Sequence, residues 1–125
     1  MKLDSVTALI FLVAGCATPS VSREAREYIA HRPQLTAAEI DRIYQRTLMV
    51  GDPRDRLEAA YSGCEIERVS ASDLVEVFRV HVPLGERAIG IGNETVEEGG
   101  ELMITFERHR LRSFLVLEQK YSGSS

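Results

Sequence analysis

The hydrophobic period of this chain changes once, at Gly63, and that change sets the fold class. Before it, apolar residues recur at helical spacing; after it, they alternate with polar ones. Over residues 36–49, Ile40, Ile43, Tyr44, Thr47 and Leu48 form one helical stripe. Thr36 and Glu39 supply a capping box for its free amides. A shorter, charged helix is predicted over 23–31, with Ala25, Tyr28 and Ile29 as its apolar face and Pro33 ending it. Gly51 interrupts the pattern and Asp52-Pro53 restarts it. Asp52 is expected as N-cap, Pro53 at the first helical position and Asp55 near the positive helix end. Leu57, Ala60 and Tyr61 should face inward, and Gly63 should close this helix in the left-handed conformation.

Beyond Gly63, strands are predicted over 64–69, 73–82, 102–108 and 113–118. In the second, Leu74, Phe78, Val80 and Val82 should share one face, and Val75, Val77, Arg79 and His81 the other. Residues 88–92 read as a short strand or bend, 93–100 as a polar loop and 109–112 as a turn. Helices first and an antiparallel meander afterwards give an α+β fold. It should have two or three short helices followed by a three- to four-stranded antiparallel sheet, after an N-terminal signal peptide.

The chain has 125 residues, and removing the first 15 leaves enough for one hydrophobic core but not two. The expected divisions are 1–15 as signal peptide, 16–22 as tether, 23–121 as a single α+β domain and 122–125 as a tail. A net charge of -4 argues against a nucleic-acid partner, because phosphate contacts need a basic excess.

The N-terminus carries the most specific motif. Lys2 begins it, and residues 6–14 form an apolar stretch of signal-peptide length, too short to span a bilayer. Leu12-Val13-Ala14-Gly15-Cys16 follows directly. This resembles the lipobox of bacterial lipoproteins, in which an aliphatic residue and two small residues precede the acylated cysteine. The resemblance implies cleavage before Cys16 and a lipid anchor on its thiol, with two or three acyl chains supplying stable attachment. Ala17 after the cysteine points to the outer membrane, facing the periplasm. With Cys16 lipidated, Cys64 has no intramolecular partner; without lipid, a Cys16–Cys64 disulfide becomes open.

No constellation points to catalysis. Cys64 lacks a local hydrolase signature, and His31, His81 and His109 are scattered. Glu94, Glu97, Glu98 and Glu101 lack the alternating spacing of a calcium loop, and Gly90-Ile91-Gly92-Asn93 lacks the βαβ setting of a phosphate loop. No catalytic residue, metal or cofactor is therefore expected. Arg108, Arg110 and Arg112 form the one basic cluster. They read either as a contact for a partner or anionic lipid, or as a solvated turn paired with Glu107 and Glu101.

Leu48-Met49-Val50-Gly51-Asp52-Pro53-Arg54-Asp55-Arg56-Leu57 is similar to the Gly-led start of the second helix in the small outer-membrane lipoproteins of the β-barrel assembly machinery. The hairpin made by Leu102-Met103-Ile104-Thr105-Phe106 and Phe114-Leu115-Val116 is similar to their closing hairpin. This resemblance, over residues 36–118, implies a non-catalytic scaffold that touches envelope proteins or anionic lipid. The expected function is thus a lipid-anchored binding protein of the outer envelope, accessory to outer-membrane protein assembly. The competing expectation is an inhibitor or immunity-type lipoprotein that blocks an enzyme or toxin.

Overall fold

The computed structural model describes residues 22–118. The expected signal peptide, Cys16 and the expected 122–125 tail lie outside the described residues. Helix α1 (Arg23–Ala30) starts at Ser22, whose hydroxyl accepts the Ala25 amide at 2.9 Å. Helix α2 (Ala37–Tyr44) starts at the expected capping box: Glu39 N–H donates to the Thr36 hydroxyl at 3.1 Å, and Thr36 N–H donates to Glu39 at 2.9 Å.

Helix α2 ends at Tyr44, not at residue 49. Arg46 takes a left-handed conformation with φ of 58°, and Thr47–Leu48 becomes a short strand, β1. The periodicity misled here because Leu48 is buried from a strand rather than from a helix stripe. Gly90 explains the strand. A Cβ there would lie 2.7 Å from the Thr47 hydroxyl, so only glycine admits the close parallel pairing of β1 with β4 (Ile89–Ile91). Tyr44, left outside the stripe, is exposed.

Asp52 does not cap the next helix. Residues Arg54–Arg56 form a 3-10 turn with Pro53 before it, leading into α3 (Leu57–Ala60). The Asp52 carboxylate turns back instead, accepting the Met49 amide at 2.9 Å and pairing with Arg42 at 2.7 Å. Leu57, Ala60 and Tyr61 are buried as expected, and Gly63 has φ of 90°.

The main sheet has four antiparallel strands in the order β2-β3-β6-β7: β2 (Glu65–Ala71), β3 (Val75–His81), β6 (Glu101–Glu107) and β7 (Arg110–Glu118). A second, three-stranded sheet has the order β1-β4-β5, where β5 is Glu94–Val96. The polar loop expected over 93–100 therefore contains a strand. Val96, fully buried among acidic neighbours, anchors it. Leu74 lies just outside β3 and is exposed, while Phe78, Val80 and Val82 are buried together as the alternation requires.

These elements stack in three tiers. The inner face of the main sheet (Phe78, Val80, Leu102, Ile104, Phe106, Leu111) packs against Leu57, Ala60 and Tyr61 of the α3 segment. It also packs against Leu48, Ile89, Ile91 and Val96 of the small sheet. Phe78 and Phe106 meet edge to face at 5.8 Å. Helices α1 and α2 form the outer tier over a second, smaller cluster of Ala25, Tyr28, Ile43 and Ala59.

Candidate functional site: the open face of the sheet

Strand alternation sends half of each strand's side chains away from the core. The register aligns those residues in rows across the main sheet. Glu67, Arg79, Met103 and Leu115 form one row, and Ser70, Val77, Thr105 and Ser113 the next. None of these residues belongs to either core cluster. Val75, Val77 and Met103 are half-buried by their neighbours, and Leu115 is 63% exposed. The outer face thus carries apolar side chains of β3, β6 and β7 that join neither core cluster of the described residues, set among polar ones.

One end of this face is acidic. Glu65, Glu67, Arg79, His81 and Glu101, with Ile66, line an open groove of about 440 Å³. Glu101 accepts from Arg79 at 3.0 Å and faces His81 Nδ1 at 3.3 Å. The groove therefore has two of its acids, Glu65 and Glu67, beside an already engaged Arg79. Among the described residues, no group of His, Cys, Asp and Glu side chains has the arrangement of a metal site.

The opposite end is basic, and it holds the sequence-predicted arginines. Strand β7 begins at Arg110, so Arg110 and Arg112 lie on the strand and the turn contracts to Arg108-His109. Both turn residues have positive φ, 54° and 67°. That geometry belongs to a two-residue hairpin that normally uses Asn-Gly. Tertiary hydrogen bonds hold the two bulky residues in it: Arg108 N–H donates to Leu74 C=O at 2.7 Å, and Arg54 N–H to His109 C=O at 2.8 Å. Arg110 donates to Gly51 C=O at 3.1 Å, and Arg112 pairs with Glu107. The expected pairing with Glu101 does not occur, since Glu101 lies at the far end of β6 with Arg79 and His81. The structure separates the three arginines into two strand residues with partners and one turn residue, Arg108, which is exposed.

Cys64 sits at the junction of α3 and β2, half-buried, and receives Arg46 Nη2 at 3.7 Å. Burial pushes its thiol up to about 11, with Glu86 adding to the rise and Arg46 opposing it. A thiol so placed is protonated at neutral pH and is a weak nucleophile. Sequence reasoning missed the apolar residues of the open face as a unit. Their signal was present in the second half of the alternation, Val75 and Val77 on β3 with Met103 and Leu115 opposite. Only the strand order and register join them.

No family model, curated protein or solved structure matches this chain. Among the described residues, no helix is long and apolar enough to cross a membrane.

Proposed function

We propose that this protein is a lipid-anchored, non-catalytic binding module of the bacterial outer envelope, and that it meets its protein partner through the open face of the main sheet. One observation carries the binding half of the reading. The main sheet packs its inner face into the core and, among the described residues, leaves Val75, Val77, Met103 and Leu115 outside both core clusters on its other face. Apolar side chains left outside the core on an open sheet face favour a protein contact there. The lipobox resemblance at Leu12-Val13-Ala14-Gly15-Cys16 supports the anchor. The assembly-machinery resemblance makes outer-membrane protein assembly the first process in which to seek the partner.

The test compares full-length wild type with Cys16→Ser and Met103→Asp. Wild type should fractionate with the outer membrane, carry acyl mass on a chain beginning at Cys16, and retain an envelope protein after in-cell crosslinking. Cys16→Ser should lose membrane attachment and acyl mass. Met103→Asp should keep both and lose the crosslinked protein. A soluble, unacylated wild type overturns the anchor; an unchanged crosslink in Met103→Asp overturns the binding face.

A further inference from the structure

A cleft lies between the helix tier and the start of β7. The α1–α2 connection, the 3-10 turn and β7 line it, and it has a volume of about 290 Å³, at the small end for a ligand site. Of the three arginines near the start of β7, Arg110 lines this cleft, and Arg108 and Arg112 do not.

The cleft is rich in hydrogen-bond donors. Three guanidinium groups, Arg32, Arg56 and Arg110, share it with two carboxylates, Glu39 and Asp55. Both carboxylates are already engaged. Asp55 accepts from Arg32 at 2.8 Å and from the Tyr28 hydroxyl at 3.0 Å. Glu39 accepts from Arg56 at 3.0 Å and from the Thr36 amide at 2.9 Å. Donors remain, because a guanidinium carries five N–H groups in a fixed fork. Arg110 donates to the Gly51 carbonyl at 3.1 Å and, among the described residues, pairs with no carboxylate. The Gln34 side-chain amide, exposed at the rim, has no partner among the described residues. Arg56 is the buried member, 2% exposed. Its Nη1 lies 3.4 Å from Asp52 but makes no hydrogen bond, and Asp52 turns to Arg42 at 2.7 Å. Buried polar groups are hydrogen-bonded in nearly every case, so this wall is short of an acceptor.

The acceptor that fits is anionic and reaches in several directions. A carboxylate is planar and suits one fork. A phosphate monoester presents three terminal oxygens in a tetrahedral arrangement and takes N–H groups from separate elements. Here the donors do come from separate elements: Arg110 from β7, Arg32 and Gln34 from the segment after α1, and Arg56 from the 3-10 turn. Leu35 and Pro53, both half-buried, supply an apolar wall for the carbon part of the ester.

We propose that this cleft binds a small phosphate monoester. Arg110 and Gln34 hold the phosphate at the rim, and Arg56 supplies positive charge from the buried wall. Arg32 stays on Asp55 and on the Tyr28 ring, 3.8 Å from its centroid, and shapes the side facing Arg110. The site stands independently of the anchor and of the protein partner proposed above.

The test is a titration of the full-length protein in non-ionic detergent micelles, read by NMR on the arginine Nε–Hε signals. Glycerol 3-phosphate should shift the Arg110 and Arg32 signals saturably, and glycerol should leave them in place. Followed on Arg32, Arg110→Gln should weaken binding about fivefold or more, and Gln34→Leu about twofold. Arg110→Lys should recover only part of the loss, because an ammonium lacks the fork. Arg112→Gln removes a guanidinium paired with Glu107 outside the cleft and should leave binding unchanged. The circular dichroism of each variant should match wild type. Phosphatidic acid mixed into the micelles separates the two sources of a phosphate monoester. Saturation at a lower concentration than glycerol 3-phosphate assigns a lipid headgroup; saturation at a higher one assigns a soluble ester. The absence of any saturable shift overturns the proposal. So does an equal loss in Arg110→Gln and Arg112→Gln, or sulfate bound as tightly as glycerol 3-phosphate, which marks an adventitious ion only.

Discussion

The two faces of the main sheet are built from the same strands, yet one is uniformly apolar and the other sets a few apolar side chains among polar and charged ones. On the inner face, Val80, Leu102 and Ile104 have no exposed surface and Phe78 and Phe106 almost none. On the outer face, Met103 sits between Leu102 and Ile104 in sequence but belongs to no core cluster. Burial of the inner set drives folding, at about 25 cal/mol for each Å² of apolar surface removed from water. The outer set is only partly removed from water and contributes correspondingly less. The α1–α2 tier differs again. Its apolar cluster is small, and charge reinforces it: Arg56, 2% exposed, pairs with Glu39 at 3.0 Å and Asp52 at 3.4 Å, while Arg32 pairs with Asp55 at 2.8 Å and stacks on Tyr28.

The sharpest way to break the comparison is to truncate one residue on each face. Phe106→Ala should cost about 3–5 kcal/mol, through lost burial and the cavity left beside Phe78. Met103→Ser should cost about 1 kcal/mol or less, because its site is only half-buried. Urea denaturation of the two variants measures the difference, and equal losses would erase the distinction between the faces.

The helix tier should fail for an electrostatic reason. Arg56→Ala leaves Asp52 buried without one of its cations and should cost about 3 kcal/mol in the same denaturation assay. Its pH dependence follows from Glu39. The Thr36 backbone N–H, and next the Arg56 guanidinium, hold that carboxyl at about 2, below its usual value of 4.5. A carboxyl depressed by folding stabilises the fold above its unfolded pKa and loses that contribution as pH falls through the folded value. Wild type should therefore lose stability more steeply than Glu39→Gln between pH 4.5 and pH 2, and be indistinguishable in slope from it above pH 6. Parallel curves across the acid range would contradict the assignment.

A smaller effect of opposite sign is expected at the β6–β7 turn. Replacing Arg108-His109 by Asn-Gly relieves two side chains held at positive φ and should raise stability by about 1 kcal/mol. Arg108 is exposed, so a stabilised variant that retains its crosslinks separates the turn's structural cost from any binding role.

These contrasts also mark what the sequence disclosed. The change of period at Gly63 located every strand of the main sheet, because alternation depends on local burial alone. The capping box at Thr36 located the start of α2 for the same reason: both partners lie within one turn. What failed depended on distant residues. The end of α2 is set by pairing of Thr47 with Gly90, more than forty residues away. Asp52 has the chemistry of a helix cap, but the guanidinium groups of Arg42 and Arg56 compete for its carboxylate. Strand β5 was hidden because Val96 is a single apolar residue among acids, and its burial depends on β4. Arg108, Arg110 and Arg112 looked like one cluster because sequence spacing does not show that two of them lie on a strand, facing Gly51 and Glu107.

The most direct test of the division between the two faces is a photo-crosslinking residue placed at Met103 in the full-length protein, beside the same residue at Leu84. The account predicts one reproducible envelope protein captured at Met103 and absent at Leu84. No capture at Met103, or the same capture at both positions, would contradict it.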